Sequence, residues 1–402
     1  MNKTAPLLLA ATIGLTTAVA DETRNFGLEL LQQTAKAQQG NICISPYSAA
    51  GTLRLLEPGA ANETLAQIKT LLSGTSGLQT LAEKTTLALE TADRIYVDSQ
   101  LPLNAAYKAA VPKGAVASID FRNNPDSALY IINQWVSKAT HQRIDNILPS
   151  GSIERNTRLV AVNAVCFKNK WEMEFLPDNT KQEAFTLTDG TVKQVPMMNH
   201  SFRFTCSKTE AYSAIELPYM PDDKAIENRE KAKKPWTKGS MIAILPPEGV
   251  SVDEFVSKLD ASKLTEIRRH LNKTRIESKR PVVALALPKF KYTMDIDMRQ
   301  TLIALGMKNA FSTQADFSGI SSDKTPLQLS AVYQKCLISV DEEGTEAAAA
   351  TAAVAFWGGG PIEMRTDHPL VLRFDRPFVW IVVADRDDPT CTPLFMGIVR
   401  EP

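Results

Sequence analysis

Val340-Asp341-Glu342-Glu343-Gly344-Thr345-Glu346 runs into Ala347-Ala348-Ala349-Ala350-Thr351-Ala352-Ala353 and ends near Phe356-Trp357, so it opens like a strand and continues in small uncharged residues. Intrinsic propensity alone would make an alanine run behind glutamates a surface helix. Two features argue for an extended segment instead. Gly358-Gly359-Gly360-Pro361 stops any helix. At the two-residue period of a strand, Thr345, Ala347, Ala349 and Thr351 share one face, and Glu346, Ala348, Ala350 and Ala352 share the other. The first face is uniformly small and uncharged and could enter a sheet beneath a helix layer, with Glu346 left on the solvent side. Gly344 is expected to supply backbone freedom where the chain turns inward.

Downstream stand Phe374-Asp375-Arg376-Pro377-Phe378 and Pro393-Leu394-Phe395-Met396-Gly397. Upstream, in order, come Asn41-Ile42-Cys43-Ile44-Ser45-Pro46-Tyr47-Ser48, Leu159-Val160-Ala161-Val162-Asn163-Ala164, Phe167-Lys168-Asn169-Lys170-Trp171, Val195-Pro196-Met197-Met198, Leu287-Pro288-Lys289-Phe290, Leu305-Gly306-Met307 and Ala315-Asp316-Phe317-Ser318-Gly319. Each tetrapeptide is weak alone, but the ordered set resembles the serpins, a family of protease-inhibiting suicide substrates, over essentially the whole mature chain. The resemblance implies a helix layer packed on three β-sheets, with an exposed reactive-centre loop near the C-terminus at about residues 342–366.

The residues support the same fold class independently. Leu28, Leu31 and Ala35, then Ile68, Leu71 and Leu72, recur at helical spacing, and helical patterning is expected from Phe26 to about His141. From Leu159 onward short apolar runs follow one another, at 160–167, 214–217, 241–245, 282–287, 336–340 and 379–383. Helices first and strands later predict an α+β domain. Residues 224–238 are more polar than their surroundings and are expected to form an extended surface loop. No long linker or repeat divides the 402 residues, so one domain over 21–402 is expected.

The first twenty residues carry Lys3, an apolar and small-residue stretch, and Ala18-Val19-Ala20 before Asp21, the layout of a secretory signal peptide cleaved after Ala20. The stretch is too short and too rich in Ala and Thr for a membrane span. A secreted or otherwise exported protein is therefore expected, and a monomer. Its five cysteines, Cys43, Cys166, Cys206, Cys336 and Cys391, are an odd number without metal-type spacing and are expected to be buried thiols. Lys and Arg number 45 against 45 Asp and Glu, so no global charge steers the chain toward nucleic acid.

Catalytic chemistry is not expected. The chain has no Gly-x-Ser-x-Gly elbow, no His-Glu-x-x-His, no phosphate loop and no dinucleotide fingerprint. Ser321-Ser322-Asp323-Lys324 satisfies Ser-x-x-Lys without its companion motifs and is expected to be a surface turn. His141, His200, His270 and His368 are widely separated. No metal or cofactor is implied. Arg268, Arg269, His270, Lys273, Arg275, Lys279 and Arg280 could meet a polyanion, but interspersed Glu266 and Glu277 make a solvated face the expectation.

The resemblance assigns roles to particular residues. Glu342, Gly344, Thr345, Glu346, Ala347, Ala348 and Ala349 form the hinge, which non-inhibitory serpins commonly spoil with charged or bulky residues and which is intact here, its inward positions being small and uncharged. Ser45, Ser48 and Asn163 form the cluster that controls sheet opening, and Gln334 stands where the family usually has a histidine, which puts pH-sensitive opening in doubt. Trp171 matches the tryptophan where insertion starts. A serine protease would attack the loop, form an acyl-enzyme and be trapped as the cut loop inserts; papain-like cysteine proteases are a further target class. About sixteen residues from Glu342, at roughly 3.3 Å each, place the reactive bond at Phe356, Trp357 and Gly358, favouring a chymotrypsin-like or elastase-like target. Counting back from Phe374 by family spacing points instead to Met364 and Arg365, beside Thr366. The alternative function is a non-inhibitory serpin acting as carrier, storage protein or chaperone.

Overall fold

The computed structural model describes residues 25–345 and 369–402, apart from Ser76, Ala232, Lys234, residues 277–279 and Lys324. Among them lie three sheets. The first contains β2 (Ala88–Asp98), β3 (Val116–Ile119), β4 (Leu159–Lys170), β11 (Phe290–Asp297), β12 (Ala331–Val340) and β13 (Gly344–Thr345), in the spatial order β11-β12-β13-β4-β2-β3. The second has the order β1-β16-β15-β9-β8-β7, from β1 (Ile42–Ile44), β7 (Thr205–Lys208), β8 (Ser213–Pro218), β9 (Ser240–Leu245), β15 (Phe378–Val383) and β16 (Pro393–Val399). The third has the order β14-β10-β6-β5, from β5 (Thr180–Thr186), β6 (Val192–Arg203), β10 (Val282–Pro288) and β14 (Leu370–Arg373). The α+β class expected from the sequence is the one found.

The helices are α1 (Phe26–Ala37), α2 (Pro46–Leu56), α3 (Asn62–Ser73), α4 (Leu78–Lys84), α5 (Ala105–Ala110), α6 (Pro125–Ala139), α7 (Asp223–Lys231), α8 (Val252–Ser257), α9 (Ala261–Ile276) and α10 (Arg299–Ala304). None of those described is long and apolar enough to cross a membrane. α2 starts where its sequence says it should, because the Ser45 side chain accepts the Ser48 amide at 3.1 Å and Pro46 fills the first turn.

The centre of the first sheet is covered on both faces, most completely at β4. One face packs into the main core with β9, β15 and β16, which are buried along their whole length. The other is covered by α6, whose Ile132 and Val136 meet Tyr96, Val160, Val162, Ala164, Cys166 and Leu337. Burial on both faces explains why β4 is a near-continuous apolar run rather than an alternating one. In the second sheet only glycine fits at 397, where a Cβ would lie 1.9 Å from the Ile42 carbonyl.

Two expectations require correction. The N-terminal part is not only helical: β2 and β3 lie within it, because Thr91, Ile95, Tyr96 and Val97 pair with β4 and β3 and tertiary pairing outweighs local pattern. Residues 224–238, expected as an extended surface loop, instead begin within α7 (Asp223–Lys231), a polar helix whose Glu227 and Lys231 pair one turn apart.

Candidate functional site: a parted sheet and its polar clasp

β4 and β12 run parallel and pair directly over 160–166 and 331–337, from Val160 opposite Ala331 to Cys166 opposite Leu337. Above that ladder they part, and β13 stands between them, antiparallel to both: Thr345 pairs with Val340 on one side and Asn169 on the other, and Gly344 pairs with Lys170. The chain leaving β12 has therefore turned back and begun to fill its own sheet.

The turn is tightly held. The Asp341 amide donates to the Gly344 carbonyl at 2.9 Å, while the Glu343 and Gly344 amides donate to the Asp341 carboxylate at 3.0 and 3.2 Å. Burial raises the pKa of that carboxyl, against the pull of the two amides. Trp171 donates its indole N–H to the Asp341 carbonyl at 3.0 Å and its amide to the Glu343 carbonyl at 2.9 Å. Burial opposes the charge on Glu342, yet bonds from Lys289 (2.7 Å) and Thr180 (2.7 Å) outweigh it and hold the carboxyl below its usual range. Lys170 and Glu343 approach to 3.6 Å.

Thr345 is fully buried, with its hydroxyl 2.8 Å from that of Tyr219. Tyr219 in turn stacks on Trp171 with ring centroids 4.7 Å apart and meets Phe167 edge-on at 4.9 Å. The face of the hinge that carries Thr345 is thus the one turned into the core. Gly344 owes its identity to a close approach rather than to backbone freedom, since a Cβ there would lie 2.2 Å from the Asn169 carbonyl oxygen. Glu346, Ala347, Ala348 and Ala349 of the hinge, and Phe356, Trp357 and Gly358 of the expected reactive bond, lie outside the described residues, as do Met364, Arg365 and Thr366.

Lower in the same seam, Ser45, Ser48, Asn163 and Gln334 come together in the interior. Gln334 Nε2 donates to Asn163 Oδ1 at 2.7 Å and to the Ser45 carbonyl at 3.2 Å, and Gln334 Oε1 accepts the Ser45 amide at 3.3 Å. Asn163 Nδ2 donates to Ser48 and to Asp93, and Ser48 donates to Asp93 at 3.4 Å. Asp93, directly opposite Asn163 on β2, was not anticipated. Burial pushes its pKa up to about 6, although Asn163, Ser48 and Thr52 bond to the charged form. Tyr219 and Lys289 were missed as well: one follows β8, the other links β10 to β11, and neither sits beside a residue that betrays its contact with the hinge.

The remaining candidates are dispersed. Arg268 is not part of a solvated face: it is fully buried, bonded to buried Glu216 at 2.6 Å, and Arg275 and Arg386 approach the same carboxylate at 3.8 and 3.4 Å. A buried carboxylate on β8 drew these cations inward, which composition could not show. Ser321 donates to the Pro102 carbonyl at 3.0 Å and accepts the Asp323 amide at 3.1 Å, as a turn residue does. His270 bonds Tyr212 at 2.6 Å, and His368 lies outside the described residues. All five cysteines are buried, and none is in a disulfide.

Comparison with known proteins agrees with this architecture. The family model described as serpin (serine protease inhibitor) matches residues 21–402. Serpin B3 of Homo sapiens is 31% identical, covering 96% of this chain and 100% of that protein, and plasminogen activator inhibitor 1 of Mus musculus is 31% identical, covering 95% and 92%. The crystal structure of native protease nexin-1 with heparin superposes with a TM-score of 0.75 at 28% identity, over 94% of this chain and 97% of that one. The chain belongs to the serpin family, which is described as serine protease inhibitors and of which plasminogen activator inhibitor 1 is a member named as an inhibitor, not an enzyme.

Proposed function

We propose that this protein is an irreversible suicide-substrate inhibitor of serine proteases, trapping the acyl-enzyme by moving its cleaved loop into the gap that β13 already opens. The observation that carries this is the two-sided pairing of Thr345 with Val340 and Asn169. Continued residue by residue, that register sets Ala355 against Leu159, the first residue of β4, and Val354 against Ala331, the first of β12. Residues 344–355 thus match the length of both neighbours, and the cut falls just beyond, at Phe356, Trp357 and Gly358. Met364 and Arg365 would leave slack outside the sheet.

The same register gives each side chain a fitting place. Glu346 comes opposite Lys168, and Ala348, Ala350 and Ala352 come opposite Cys166, Ala164 and Val162, which pack under α6. Thr351, the hydroxyl within the alanine run, arrives between Asn163 and Gln334 and can bond both amides whose mutual bond it displaces. Thr351→Val is expected to slow trapping about tenfold through the loss of roughly 1.5 kcal/mol of hydrogen bonding at that point, measured as the second-order rate of complex formation.

On this reading the protein is exported after cleavage behind Ala20 and works as a monomeric domain over 21–402, with chymotrypsin-like or elastase-like enzymes as targets and papain-like enzymes as a second class. Incubation with a panel of such proteases should give a denaturant-resistant complex with at least one of them. Mass spectrometry of the peptide released from that complex should show a fragment beginning at Trp357 or Gly358; a fragment beginning at Arg365 or Thr366 would move the bond and undo the register argument.

A further inference from the structure

We propose that Asp93 is a positioning residue for loop insertion, keeping β4 and β12 together while it is ionised and letting them part when it is protonated. The proposal rests on the insertion reading above. Its basis is the direction of the hydrogen bonds. An ionised carboxylate can only accept, so Asn163 must turn its amide NH2 toward Asp93 and Ser48. That leaves Asn163 Oδ1 pointing across the seam, where it accepts from Gln334 Nε2 at 2.7 Å, and Gln334 Oε1 is left to accept the Ser45 amide. Asp93 thus orients the side-chain link between the two strands that insertion must separate. A protonated carboxyl can donate, and Asn163 is then free to reverse its amide; its NH2 would face the NH2 of Gln334, and the link is lost.

The energetic sign follows from that link. Gln334 is bonded twice to Ser45 at the start of α2, and β4 is paired with β2 along 159–168, so the Asn163–Gln334 bond joins two otherwise anchored strands. The bond is made while Asp93 is ionised and lost when it is protonated, so parting the strands costs less after protonation, the proton binds more tightly to the open state, and acid favours opening.

The surroundings allow Asp93 to be the group that responds. Asn163 of β4, Gln334 of β12, and Ser48 and Thr52 of α2 are all uncharged. Tyr47 and Arg54 of α2, Arg94 of β2 and Lys113 ahead of β3 line the same cavity as Asp93, with the Arg94 guanidinium over Trp135 of α6 at 4.0 Å, and Tyr47 also meets the charges of Arg54 and of Glu83 on α4. An open cavity of about 640 Å³, lined by Tyr47, Ser48, Asp93 and Lys113, gives the carboxyl access to solvent protons.

The test is the rate at which a synthetic acetylated peptide with the sequence of residues 346–355 enters the uncut full-length protein, followed by native mass spectrometry. For the wild type the rate should rise roughly tenfold between about pH 7 and pH 5.5, the factor by which a carboxyl with a pKa of about 6 gains protons over that interval. Asp93→Asn, uncharged at every pH and able to donate, should take up peptide quickly and with no pH slope, and Asp93→Glu, which restores a titrating carboxyl, should recover the slope. A flat wild-type profile, or an Asn variant that keeps the wild-type slope, overturns the role of Asp93 while leaving insertion intact. Peptide that enters neither protein at any pH overturns the insertion reading, and this proposal with it.

Discussion

Cutting the loop once between residues 355 and 359 should raise the melting temperature of this protein by more than about 10 °C. An ordinary nick in a surface loop is neutral or destabilising, so the sign alone is diagnostic. The uncut sheet holds a parallel ladder between β4 and β12, evenly spaced but slanted and slightly weaker per residue than an antiparallel one. Insertion of residues 346–355 replaces that ladder with two antiparallel ones, for a net gain of about a dozen backbone hydrogen bonds and on the order of 10 kcal/mol. The uncut form is then held by a barrier and not by depth. Calorimetry before and after limited proteolysis measures the effect; an unchanged or lower midpoint would put the carrier or storage alternative ahead.

Thr345→Arg should abolish complex formation and turn the protein into a simple substrate, cleaved and released. Thr345 is already fully enclosed, flanked by Val340 and Asn169 and bonded to Tyr219, so an arginine there must either stay out of the sheet or bury an unpaired cation at a cost of about 3 kcal/mol or more. Either way the strand cannot start, and hydrolysis of the acyl-enzyme outruns it. Gel analysis after incubation with a target protease reads both products. Complex at wild-type stoichiometry would show that Thr345 does not lead insertion.

Much of this arrangement could be read from the chain because it is written in composition at a fixed period. The small residues at 345, 347, 349 and 351 have to be small wherever they go, and Thr345 does face the core. Ser45 is a cap ahead of a proline, and Asn163 is a lone amide in an apolar strand; both stand out. Asp93 does not, because an aspartate among Thr91, Ala92 and Arg94 looks like solvated surface until pairing with β4 sets it against Asn163. Gly344 was legible as a glycine needed at a bend but for the wrong reason, since the constraint is the Asn169 carbonyl from a strand far away in sequence. Arg268 could not be told from its basic neighbours without knowing that Glu216 waits beneath it. What escaped the sequence in each case is a partner separated by tens or hundreds of residues.

If the loop inserts as proposed, the seam between β4 and β12 gives the working protein a lifetime. The seam that must open for a protease to be caught is also the one that must stay shut beforehand, and Asn163 with Gln334 fastens it in both situations. A tighter fastening lengthens storage and slows capture; a looser one speeds capture and lets the protein expire by filling its own gap. Speed and shelf life are therefore set by a single barrier, and neither can be improved by substitutions in the seam without loss of the other.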